Sequence, residues 1–215
     1  ANRHPDGPCA QFFALVRNES SNSDVYFIME PDVMPVRPRW LEALADASHG
    51  ACEEFWIKGS VSRCDKDYGD IFDRRDLHIN GNALFCAGDA AFLDFLHRVQ
   101  EFYPPFTAPE SSVPGCSTGN AFEGGHDNSI FQFMHHENNF DYMRSIVHKY
   151  QYTDLILNMC EDSYDEESIR LRHRNTFFVH SKAPFFTPLE KKLRMFAWAR
   201  TKEWPSRSAL ETMTG

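Results

Sequence analysis

The sequence has no apolar run near the roughly 20 residues that span a bilayer, and no signal-peptide pattern. It opens on Ala1-Asn2-Arg3-His4 without an initiating Met, so it is expected to be a piece of something longer. Membrane attachment, if any, is then expected only through segments outside this chain. Basic residues are in deficit, 22 Lys and Arg against 31 Asp and Glu, for a formal net charge of −9. A general nucleic-acid partner is excluded on that ground, because binding one needs a basic surface. An acidic chain that binds a phosphorylated small molecule needs a local cation to screen the charge, and a divalent metal is the obvious one. There is no Walker-type phosphate loop and no His-Glu-x-x-His, which removes P-loop NTPases and zincins. The six cysteines form no Cys-x-x-Cys and no zinc-ligand spacing. Their even number permits disulfides, and Asn18-Glu19-Ser20 is a glycosylation sequon. Together these favour the secretory pathway or Golgi lumen if the source is eukaryotic, and the cytoplasm otherwise.

What is present suits one substantial globular core. At 215 residues, 42% hydrophobic and 25% charged, the chain sits near the globular average. Nineteen Phe predict a large aromatic core and a stacking-rich cleft. One domain is expected over residues 1–187, followed by a basic amphipathic helix and tail over 188–215.

Short apolar runs alternate with helical periodicity, which indicates an α/β layer architecture. Residues 10–17 read as the end of an amphipathic helix. Val25 to Met29 is a continuous apolar run that suits a strand buried on both faces, as in a parallel sheet. Pro38 precedes a helix through Trp40, Leu41 and Leu44. Phe55-Trp56-Ile57 predicts a second strand, Leu77 to Phe85 a third, and Phe177-Phe178-Val179 a last one. Gly88-Asp89 opens a helix with Phe92, Leu96 and Val99 on one face, and Asp127 opens another through Ile130 and Met134. Residues 62–76 and 103–125 read as loops, the second long enough to suggest a role in function.

In open α/β sheets ligands bind beyond the carboxyl ends of strands. That rule singles out Glu30, Asp32, Lys58, His180 and Lys182. Glu30 and Asp32, two apart at a strand tip, project to one side and can converge on a hard cation such as Mg²⁺ or Mn²⁺. A solvated acidic turn is the alternative. His180, at the end of another apolar run, offers a neutral imidazole as third ligand, although one His of ten is more often simply packed. Lys182 and Lys58 are candidates to meet a diphosphate. Asn80-Gly81-Asn82 has amides that can read sugar hydroxyls, and Gly81 permits unusual backbone and close approach; an ordinary Asn-Gly turn competes. Asp127 is a candidate general base, with Glu123 as fallback, and Asp is also a favoured N-cap.

Taken in order, Ile28-Met29-Glu30-Pro31-Asp32, His78-Ile79-Asn80-Gly81-Asn82-Ala83, Gly125-His126-Asp127-Asn128 and Val179-His180-Ser181-Lys182 resemble the GT-A glycosyltransferase superfamily over residues 10 to about 185. The resemblance implies a Rossmann-like, mostly parallel sheet flanked by helices. It implies an Asp-x-Asp-like metal motif with Glu in first place, a donor-sugar loop at 80–82, and Asp127 as the base of an inverting member or as a residue that helps place the acceptor. It also implies a metal site of Asp32, Glu30 and His180 holding Mn²⁺ or Mg²⁺. Asp32 would then be the direct ligand, with Glu30 touching ribose or a metal-bound water. The base- and ribose-gripping strand and loop of that fold are missing before residue 10, so a partial domain is expected.

The expected reaction moves a hexosyl or pentosyl group from a nucleotide-diphosphate sugar to a hydroxyl of a glycan or protein acceptor. Trp56, Tyr103 and Phe106 are candidates to stack on sugar faces. Two rivals are a metal-dependent phosphohydrolase, which needs more acidic ligands around two metals, and a non-catalytic carbohydrate-binding relic of a transferase.

Overall fold

The computed structural model describes residues 6–17, 24–61, 78–102, 125–159 and 164–181. The expected loop at 62–76, the expected loop at 103–125 except Gly125, the residues Glu123 and Lys182, the candidates Tyr103 and Phe106, and the tail over 188–215 lie outside them.

The described residues form a mixed α/β fold with two small sheets. In chain order the elements are α1 (Asp6–Arg17), β1 (Val25–Phe27), β2 (Val33–Pro35), α2 (Trp40–Ser48), β3 (Ile57–Gly59), β4 (Ala83–Cys86), α3 (Ala90–Phe102), α4 (His126–His135), α5 (Phe140–Ile146), β5 (Tyr150–Tyr152), β6 (Ile156–Asn158), α6 (Glu166–Arg172) and β7 (Phe178–His180). The first sheet runs β1-β4-β3-β5 and the second β2-β7-β6. The expected mostly parallel arrangement is not what forms. β4 is antiparallel to both β1 and β3, and β2 is antiparallel to β7; only β3–β5 and β6–β7 are parallel.

The unbroken apolar run at β1 has a different cause from the one expected. β1 is an edge strand and its residues are half-buried. Ile28 packs on the core formed with α1, α3 and α4, while Phe27 and Met29 pack on the core beneath α2. Side chains alternate along extended chain, so successive residues meet two different cores and all must be apolar.

Alternation also explains the second sheet. Ile156 and Phe178 face the α2 core with Val33 and Trp40, whereas Leu157 and Val179 pack with Val36 and Ile169 on the other side. β7 is the central strand of that sheet, and its Phe178 and Val179 are fully buried. In α1, Cys9, Phe12, Phe13 and Val16 fall on one buried face at helical spacing. Asp89 accepts the Ala91 N–H at the start of α3, as the Gly88-Asp89 signal predicts. Its second oxygen accepts the Trp56 indole N–H at 2.6 Å. Trp56 is therefore a core residue, packed on Phe92 and Phe95, and is not available to stack on a sugar.

Candidate metal centre

The two sheets meet where β1 turns into β2. The Glu30 carbonyl accepts the Val33 N–H at 3.1 Å, closing a tight turn over Pro31 and Asp32. β2 then pairs with β7 so that Val33 lies opposite His180. That register brings the Glu30-Pro31-Asp32 turn alongside the last residue of β7.

Glu30, Asp32 and His180 each offer one ligand atom, and these atoms all lie within 4.8 Å of one another. His180 Nε2 is 3.3 Å from Asp32 Oδ2 and 3.4 Å from Glu30 Oε2. The imidazole is only 19% exposed, against 39% and 43% for the two carboxylates. The cluster is thus anchored on the histidine side and open to solvent on the acidic side. Two carboxylate oxygens and one imidazole nitrogen are a donor set that fits Mn²⁺, and Mg²⁺ with more water.

Asn82 fixes Glu30. Its Oδ1 accepts the Glu30 backbone N–H at 2.8 Å, and its Nδ2 donates to Glu30 Oε2 at 2.7 Å. The same Nδ2 donates to Asn80 Oδ1 at 2.7 Å, and that oxygen also accepts the Asn82 N–H. Asn82 has no exposed surface, so its amide is wholly committed to this scaffold. It supports the site from beneath and cannot itself reach a sugar.

The 78–82 segment is pinned along its length. Ile79 N–H donates to the Tyr150 hydroxyl at 2.6 Å, Asn80 N–H to the Ser60 carbonyl at 3.1 Å, and Gly81 N–H to Asp127 Oδ2 at 3.1 Å. Burial drives the Tyr150 hydroxyl strongly towards its neutral form. The special backbone expected of Gly81 is absent: among the described glycines only Gly50 has a left-handed φ. Gly81 is small because a Cβ there would come within 3.2–3.3 Å of the His126 ring edge.

Asp127 is not the N-cap of α4; Gly125 is. As the second residue of the helix, its Oδ1 accepts the Asn128 N–H at 2.9 Å while Oδ2 faces Gly81, with His78 Nε2 at 3.7 Å. His126 beside it is buried, stacked on Phe12 at 3.9 Å, and has no hydrogen-bond partner at either ring nitrogen among the described residues. Desolvation lowers its pKa, with nearby Asp127 partly opposing.

The structure therefore brings together Glu30, Asp32, His180, Asn80, Gly81, Asn82 and Asp127. It does not bring in Lys58, whose ammonium donates to the Ala47 carbonyl at 3.2 Å and sits 4.7 Å over the Phe55 ring. Ile57 and Gly59 point towards the α1–α3–α4 core, so Lys58 is turned the other way, towards α2. The sequence reading missed Ser60 and Asn158, which are buried and polar. A polar residue ending the apolar run Leu155-Ile156-Leu157 was the available signal for Asn158.

Among the described residues no helix is long and apolar enough to cross a membrane. Compared with protein-family models, with curated proteins and with solved structures, the chain gives no match.

Proposed function

We propose that this chain is a metal-dependent glycosyltransferase that moves a sugar from a nucleotide-diphosphate donor to a hydroxyl acceptor. The observation that carries the reading is the convergence of Glu30, Asp32 and His180, with the Asn80–Asn82 segment hydrogen-bonded to the same point. Asp32, Glu30 and His180 would hold the ion, which when bound offsets negative charge on a diphosphate leaving group.

The chain's own residues then divide the remaining work. Asn82 orients Glu30. Asn80 keeps its amide NH₂ unpartnered among the described residues, because its Oδ1 takes both Asn82 bonds, and that NH₂ is available to a sugar oxygen. Asp127, on the far side of Gly81, takes the proton of the acceptor hydroxyl in an inverting transfer. Glu123 as alternative base and Lys182 as a diphosphate contact belong to the same reading, on sequence order alone. The Cys52–Cys86 disulfide and the Asn18 sequon support an oxidising, secretory compartment. A single cluster of three ligands among the described residues favours a one-metal transferase over a two-metal phosphohydrolase.

A thermal-shift screen of nucleoside diphosphates with and without Mn²⁺ tests the reading. Stabilisation that needs both Mn²⁺ and a nucleoside diphosphate, and that is lost in Asp32→Ala, is the expected result. An equal response from Asp32→Ala overturns the metal site, and hydrolysis of simple phosphate esters would favour the phosphohydrolase.

A further inference from the structure

Behind His180 lies a buried polar relay that the transferase reading does not use. Asn158 Oδ1 is 3.1 Å from His180 Nδ1. On its other side Asn158 Nδ2 reaches the Ser60 carbonyl at 2.8 Å and the Ser60 Oγ at 2.9 Å. Ser60 Oγ in turn donates to the Ile156 carbonyl at 2.6 Å. Asn158 and Ser60 are 3% and 4% exposed, so water cannot replace these bonds cheaply.

The bonding pattern has one consistent assignment. A carbonyl only accepts, so the Asn158 edge facing Ser60 must be the NH₂. The Ser60 hydroxyl spends its proton on Ile156 and therefore accepts from the same NH₂. Oδ1 is then the edge turned to His180, and Nδ1 must carry a hydrogen to donate to it. In the neutral imidazole this leaves the lone pair on Nε2, the nitrogen that faces Asp32 and Glu30. A lone pair set against two carboxylates is repulsive unless a metal ion or a proton lies between them.

We infer that Asn158, held by Ser60, is a positioning residue of the metal centre: it selects the His180 tautomer whose Nε2 lone pair is directed at the cation. The inference rests on the metal-site reading for its purpose, though not for the tautomer itself. Metal-ligating histidines commonly have their second nitrogen fixed in this way, and loss of the fixing group typically costs 10- to 100-fold in affinity. The relay also reaches the donor-sugar segment. The Ser60 carbonyl accepts the Asn80 N–H as well as the Asn158 amide, so His180 and Asn80 are positioned by one carbonyl.

The test uses the full chain with ¹⁵N-labelled histidine, without metal. Long-range ¹H–¹⁵N correlation spectra should show His180 protonated at Nδ1. Asn158→Ala should give a mixture of tautomers, and Mn²⁺ affinity by calorimetry should fall about 10- to 100-fold with the circular dichroism spectrum unchanged. A merely structural Asn158 would leave the tautomer alone. Nε2–H in the wild type overturns the inference even if the variant does not fold, as does an unchanged tautomer in Asn158→Ala. A wild type with the Nδ1–H tautomer, sensitive to Asn158→Ala, that binds no Mn²⁺ upholds the orienting role and removes the metal reading instead.

Discussion

Asn82 and Glu30 hold each other at two points, the Glu30 N–H on Asn82 Oδ1 at 2.8 Å and the Asn82 Nδ2 on Glu30 Oε2 at 2.7 Å. The clasp joins the end of β1 to the start of β4 at a fully buried side chain. Asn82→Ala leaves the Glu30 N–H without its acceptor and Asn80 Oδ1 without its side-chain donor. Chemical denaturation should show a loss of about 1–3 kcal/mol. Mn²⁺ affinity should also fall, because Glu30 is no longer held at the cluster. Asn82→Asp should be at least as harmful, since it sets a second carboxylate against Glu30 in a buried place.

His126 makes stability depend on pH. Burial keeps its imidazole neutral in the fold, lowering its pKa below the ordinary value of 6.5. Below that value the unfolded chain takes up a proton that the folded chain does not. Stability from this residue is therefore complete above about pH 6.5 and falls as pH drops, until the lowered folded pKa is reached. The slope from one such group is at most about 1.4 kcal/mol per pH unit. Urea melts between about pH 5 and 7.5 should show it, and His126→Leu should flatten the curve relative to the wild type. A slope that persists unchanged in the variant would assign the effect to other groups.

The Cys52–Cys86 disulfide ties the segment after α2 to β4, with Cα atoms 5.3 Å apart and the partners separated by 34 in sequence. Closing a loop of that length should contribute about 3–4 kcal/mol by restricting the unfolded chain. Cys52→Ala/Cys86→Ala should lower the melting temperature by the corresponding amount. The double variant should keep a smaller response to reductant, because Cys9 is also disulfide-bonded. Measuring Tm with and without dithiothreitol separates the two contributions.

Much of the fold was legible where elements are long enough to show a period. The helices α1 to α4 and the apolar cores of β1, β4 and β7 follow from spacing of Phe, Leu, Ile and Val. The three-residue strands β2, β5 and β6 were not legible, since three residues carry no periodicity and Val33-Met34-Pro35 ends on a residue that argues against a strand. The strands also run in directions the apolar pattern does not report, for a related reason. An apolar run reports that both sides of a strand meet apolar surface, and β1 does so at an edge between two cores.

The chemistry on offer is already written in the residues: two carboxylates around Pro31, an amide pair around Gly81, a carboxylate early in α4 and an imidazole ending an apolar run. These are properties of residue type and of neighbours a few positions away, which local pattern can report. That they share one place depends on how distant segments pack together. The Val33–His180 register sets the imidazole beside Asp32, and the Asn82 clasp draws Glu30 to the same point. The same packing decides which candidates stay out: Lys58 is turned to α2 and Trp56 is sunk in the core. The supports at Ser60 and Asn158 emerge only there, because a buried hydrogen bond between distant segments leaves no periodic trace in the chain.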